Sequence, residues 1–200
     1  MDTRLPGAIM TMPTVNLSFP HAWRAEILAA RPMILPTRHY VYPQAVEEVE
    51  RGALEIEVRT AADAVQPFLA TCALGFRDPI TPTGIWSAPN EHELCAVSGG
   101  YAYIIDTTQP EQFTMIHYRP VLQVLPAVES GLLLFVGNRT ILAWGRDGQA
   151  WESPKLSDEG MTIEEISGAV LHGLGWDMFT DREVPFSLDL EMGSVVRQPR

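Results

Sequence analysis

The densest run of side chains able to hold a metal or move a proton is Glu91-His92-Glu93, followed by Cys95. Imidazole, carboxylate and thiolate are the usual donors to zinc. On an extended chain, however, successive side chains point to opposite faces, so these four cannot converge on one ion by themselves. A polar turn entering a strand after Pro89-Asn90 is the simpler reading. His117 follows the alternation of Thr114 to Arg119 and shares a face with Met115; as a half-exposed imidazole it could act as a general base. His172 sits in an apolar run, where a hydrogen-bonded ring is expected. The stretch from Trp176 to Glu183 sets three acids, one arginine and two aromatic rings between Gly175 and the next apolar run. Its acids lack the alternating spacing of a calcium loop. Asp177 and Asp181 therefore read as turn builders, or as groups that present a ligand contact from a loop. Ser98-Gly99-Gly100 lacks the preceding glycine of a nucleophile elbow. No P-loop, dinucleotide fingerprint, paired CxxC or HExxH occurs in the sequence.

Positioning such groups requires a folded scaffold, and the composition supplies one. The chain has 200 residues, 46% of them apolar and 20% charged, with a formal net charge of −11. That length suits one domain and is too apolar for disorder. The acidic balance argues against nucleic acid or an anionic membrane as a partner, because both need a basic footprint. No apolar run reaches the roughly 20 residues that span a bilayer. Asp2 and the prolines at 6, 13 and 20 break up any export signal, so a cytoplasmic location is expected. Cys72 and Cys95 lie in apolar stretches and are expected to be buried and reduced.

Residues 1–52 differ in texture from 53–200. Six of the 16 prolines fall in this segment, at 6, 13, 20, 32, 36 and 43, and they exclude long regular elements. One short helix fits between a Ser18 cap and Pro32, with Trp23, Ile27 and Ala30 on one face, and a second fits Pro43 to Arg51. The remainder is expected to drape over a core as an irregular, proline-rich arm.

Beyond residue 53 the period changes to two. Leu54, Ile56 and Val58 alternate with Glu55, Glu57 and Arg59, as a strand with one wet face would. Further short apolar runs follow: Phe68–Phe76, Leu94–Val97, Tyr101–Ile105, Thr114–Tyr118, Val121–Leu125, Leu132–Val136, Ile141–Trp144, Met161–Ile166, Ala169–Leu174 and Val184–Leu190. Gly99-Gly100, Gly137-Asn138-Arg139 and Asp147-Gly148 supply turn chemistry between them. Asp78 to Pro89, with Trp86, reads as a proline-rich loop. The fold class is therefore all-β, with antiparallel sheets in a propeller-like or a β-sandwich or barrel arrangement. Leu132–Val136 and Ile141–Trp144 have no polar face, so they belong to sheets covered on both sides.

Residues 140–166 read TILAWGRDGQAWESPKLSDEGMTIEEI. A strand, an Asp-Gly turn, a tryptophan and a second strand resemble the blade pattern of Asp-box β-propeller repeats, with Asp147, Gly148 and Trp151 matching the turn in type. The resemblance implies that Asp147 closes its turn by accepting backbone N–H groups and that Trp151 packs between blades. The serine expected before the Asp is missing, and the Asp-to-Trp spacing is one residue short.

Two functions are compatible with these features. One is a non-catalytic binding or assembly protein, whose arm (Met10, Met12, Ile34, Leu35, Tyr40, Tyr42) engages a protein partner or a second copy of the chain. The other is an enzyme or small-ligand binder with a pocket near Trp86, His92, His117, Trp176, Asp177 and Asp181. No cofactor is expected on either reading.

Overall fold

A computed structural model describes residues 12–44, 49–61 and 66–196 of the chain. Among the described residues, seventeen strands form four sheets. They are β1 (Thr14–Asn16), β2 (Trp23–Ile27), β3 (His39–Tyr42), β4 (Ala53–Thr60), β5 (Phe68–Ala73), β6 (Gly84–Ser87), β7 (Glu93–Ser98), β8 (Tyr101–Asp106) and β9 (Phe113–Met115). They continue with β10 (Gln123–Ala127), β11 (Leu132–Val136), β12 (Ile141–Gly145), β13 (Gly148–Glu152), β14 (Met161–Ser167), β15 (Val170–Asp177), β16 (Arg182–Asp189) and β17 (Ser194–Val195). The strand orders are β2-β4-β5-β3 in sheet I, β1-β6-β7-β8-β9 in sheet II, β10-β11-β12-β13 in sheet III and β14-β15-β16-β17 in sheet IV. All pairings are antiparallel except β1 with β6 and β3 with β5. The chain is thus all-β with several antiparallel sheets.

Three apolar cores join the sheets in the order I, II, III, IV. Ile56, Phe68 and Cys72 of sheet I pack with Ile85, Leu94 and Tyr103 of sheet II. Trp86, Cys95 and Ile104, on the other side of sheet II, pack with Leu133, Phe135 and Leu142 of sheet III. Leu134, Ile141 and Ala143, on the reverse of sheet III, pack with Leu171 and Leu188 of sheet IV. Alternation along one strand sends neighbours into different cores, as Leu94 and Cys95 do. Strands β7, β8, β11 and β12 are apolar in both phases because they are covered on both sides. Gly99 and Gly100, at φ 55° and 77°, form the tight turn between β7 and β8.

Several expectations are corrected. Residues 18–32 contain strand β2 rather than a helix, and no helix occurs in 12–44. Trp23 and Ile27 stand four apart, a spacing common to both periods, but Ala25 shares their face opposite Val58, and β4 offers a ladder of hydrogen bonds. The described part of the proline-rich segment is built into the sheets through β1, β2 and β3 rather than draped as an irregular arm. The middle of the second expected helix, residues 45–48, lies outside the described residues, as does Met10. Trp86 lies on β6, not in a loop, because Gly84–Ser87 pairs on one side with β1 and on the other with β7. The polar side of β4 is not wet throughout: Glu55 is 6% exposed, covered by the 28–38 connection. Of the two runs around Pro120, 114–115 belongs to β9 at an edge of sheet II and 123–125 to β10 at an edge of sheet III, while 116–122 carries the chain between the two sheets. No helix among the described residues is long and apolar enough to cross a membrane.

Candidate functional site

The β11–β12 hairpin projects from the paired sheets III and IV and has a hollow on each side. Its backbone anchors the chain that enters sheet IV. The Arg139 carbonyl accepts Leu156 N–H at 2.8 Å, and the Asn138 carbonyl accepts Gly160 N–H at 2.8 Å. Arg139 Nε donates to the Asp158 carbonyl at 3.0 Å. Ser157 Oγ accepts the N–H groups of Trp176 at 2.9 Å and Glu159 at 3.2 Å. Asp158 Oδ2 accepts Met178 N–H at 3.0 Å, while its Oδ1 holds Lys155 Nζ. The Lys155 hydrogen bond, helped by the Met178 N–H, keeps the Asp158 carboxyl below the ordinary carboxylate range. A cavity of about 370 Å³ results, lined by Asn138, Arg139, Asp158, Glu159, Trp176 and Met178.

Beyond that cavity lies the tip of the β15–β16 hairpin. Asp177 Oδ1 accepts Phe179 N–H at 2.8 Å and Thr180 N–H at 3.3 Å, which is Asx-turn geometry. Asp181 takes a left-handed φ of 54°. The turn leaves Met178 67% and Phe179 92% exposed.

On the other side of the β11–β12 hairpin, residues 117–120 and 137–140 line a hollow of about 450 Å³. His117 Nε2 lies 3.4 Å from Glu152 Oε2, and its ring meets that of Tyr118 edge-on at 4.6 Å. Tyr118 Oη donates to Glu152 Oε1 at 2.8 Å and lies 2.5 Å from Thr140 Oγ1. Burial is the main force pushing the Tyr118 phenol up, so it stays protonated and serves as a hydrogen-bond donor. Thr140 Oγ1 also donates to Glu152 Oε1 at 3.0 Å, so the cluster presents a carboxylate, an imidazole and two hydroxyls that can bind polar groups.

The six residues singled out by sequence therefore scatter in part. Trp176, Asp177 and Asp181 share the β15–β16 hairpin, and His117 lies across the β11–β12 hairpin from Trp176. Trp86 is buried in the core between sheets II and III. His92 is half-exposed in the turn before β7, 3.8 Å from Glu91. Among the described residues, no three of His, Cys, Asp and Glu are grouped to hold a metal ion. Sequence reading missed Arg139, Asp158 and Tyr118, which reach the site from separate connections, and Glu152, which arrives on β13.

A second polar cluster also escaped it. On the outer side of sheet I, Thr71 Oγ1 donates to Glu55 Oε2 at 2.5 Å, and His39 Nε2 lies 2.8 Å from the same hydroxyl. Arg31 reaches Glu55 at 3.7 Å and His39 at 3.3 Å. This quartet ties down the 28–38 strap, whose Leu28, Pro32, Ile34, Leu35 and Pro36 enclose about 250 Å³ against Leu69 and its neighbours. The two cysteines are free and buried, and burial pushes both thiols up.

Fold and surface together define an all-β chain of four packed sheets with loop-borne hollows at one end and a strapped sheet at the other. No family model and no curated protein sequence matches the chain. Two solved structures are similar to it at 10% identity. One is Kuenenia stuttgartiensis hydrazine synthase, at a TM-score of 0.44, covering 72% of this chain and 44% of that one. The other is the N-terminal domain of Nup159, at a TM-score of 0.39, covering 93% of this chain and 53% of that one. The chain spans about half the length of these structures.

Proposed function

We propose that this protein is a non-catalytic binding or assembly module, built as a propeller-like arc of four sheets. The arc reading rests on two features: sheets III and IV are each four consecutive antiparallel strands, and the apolar cores lie between successive sheets. The observation that carries the functional reading is the β15–β16 tip. Met178 and Phe179 stand exposed on a turn pinned by Asp158 and Asp177, beside a hollow with both an arginine and two acids. An exposed aromatic on a fixed backbone binds with little loss of conformational entropy, which is how contact residues work at protein interfaces. The partner this suits is a protein surface offering an apolar pocket rimmed by polar groups.

The test is cross-linking in an extract of the source cells, comparing the wild type with Met178→Ser/Phe179→Ser. The wild type should give discrete adducts that the variant loses while its circular dichroism and Tm are retained. Identical adduct patterns for the two proteins would overturn the reading.

A further inference from the structure

Among the described residues, the two end sheets of the stack each have one face that packs on no other sheet, and these faces differ in charge. On sheet IV the register puts Thr162, Leu174 and Pro185 in one row across three strands. The flanking rows carry Glu165 opposite His172, and Glu183 opposite Trp176. Leu171 and Leu188 point the other way, into the core with sheet III, so these rows face outward. Leu174 and His172 are half-buried, whereas Pro185, Glu165 and Glu183 are exposed. Between residues 161 and 196 the sole Lys or Arg is Arg182, against seven acids.

On sheet I the outward face is different. Arg24 lies directly across from Arg59 on the neighbouring strand, and Glu26 across from Glu57. Arg59 is held by Glu57, at 3.0 Å from Nε and 2.5 Å from Nη2, and Arg31 leans on Glu55. Arg24 makes no ion pair among the described residues. Like charges directly opposite on adjacent strands are unfavourable, and Glu57 neutralises Arg59 alone, which leaves Arg24 open to an anion from outside. Beside them the strap offers Met33, fully exposed, and Ile34, 88% exposed.

We propose that a second copy of this chain is what covers these faces: sheet I of one copy seats on sheet IV of the other, and the reciprocal contact closes a two-fold pair. The inference rests on the assembly reading above but uses a different surface. Met33 and Ile34 meet the Thr162, Leu174 and Pro185 row, and Glu165 and Glu183 meet Arg24 and Arg59. Two sheet IV faces repel each other through their glutamates, so the pairing of unlike faces is selected.

Light scattering on the purified full chain tests this. Wild type should move with concentration towards twice 22.2 kDa, and raising the salt tenfold should weaken the pair by screening its exposed charges. Arg24→Glu/Arg59→Glu and Glu165→Lys/Glu183→Lys should each remain single chains. Mixed one to one, they should pair again, since each keeps the face the other has lost. A wild type that stays at 22.2 kDa at every concentration overturns the inference, as does either variant pairing alone. If a double variant fails to fold by circular dichroism, the salt series on the wild type decides alone, and a pair indifferent to salt contradicts the proposal. A single-chain wild type leaves the tip reading untouched, because adduct loss in the Met178/Phe179 variant is a separate measurement.

Discussion

Sheets II and III and sheets I and IV are built from similar strands but live in different surroundings. Strands β7 and β11 contribute side chains to two cores at once and carry apolar residues in nearly every position. Strand β15 alternates Leu171, Gly173 and Gly175 towards a core with Val170, His172 and Leu174 away from it. Strand β5 is buried on both faces like the inner strands, but one of those faces is covered by the chain's own strap. The difference teaches that complete burial has two sources here, another sheet or a loop held by polar anchors, and the two should fail differently.

The largest effect belongs to the inner sheets. Phe135→Ala should cost about 3–5 kcal/mol in urea unfolding, as a large ring lost between two packed sheets does. Leu174→Ala, on the open face of sheet IV, should cost under about 1 kcal/mol in the dilute single chain. Equal costs would erase the distinction between inner and end sheets.

Next is the strap. Glu55→Ala removes the acceptor of Thr71 and the partner of Arg31, and should cost about 2 kcal/mol. The loss should come with faster proteolysis within 28–38, whereas Phe135→Ala should raise cleavage throughout. Trp151→Phe comes third, at about 1 kcal/mol, for the Nε1 hydrogen bond to the Leu190 carbonyl that joins β13 to the end of sheet IV.

The smallest effect is a pH dependence at the strap. Burial first, and Arg31 second, hold the His39 imidazole below its ordinary pKa of 6.5. The unfolded chain therefore binds more protons than the folded one just below pH 6.5, so stability falls as pH falls through that window. A stability–pH curve should show this slope in the wild type and a shallower one in His39→Gln.

Much of the fold was legible because the inner sheets write their environment into both phases of the strand. Leu132–Val136 and Ile141–Trp144 announced double-sided burial, and the glycine turns announced their hairpins. What stayed hidden depends on long-range partners. Trp86 is in a strand held by β7 on one edge and, on the other, by β1 from some 70 residues earlier, and Glu55 looked solvated because nothing local reveals the strap above it. Trp151 packs against the core between sheets III and IV and donates to the Leu190 carbonyl. The turn before it is formed through Gly148 at φ 112° and the pairing of Gly145 with Gly148, and among the described residues Asp147 accepts no backbone N–H. At the candidate site, sequence pointed to Trp176, Asp177 and His117. Arg139, Asp158 and Glu152 could not be found that way: Arg139 and Asp158 lie in connections that meet through hydrogen bonds between distant stretches of chain, and Glu152 arrives on β13.

Hydrogen–deuterium exchange followed across a dilution series tests the assembly account most directly. At high concentration β2, β15, β16 and the 28–38 strap should gain protection together, while β7, β8, β11 and β12 stay equally slow at every concentration. Exchange that is independent of concentration in both end sheets would contradict it.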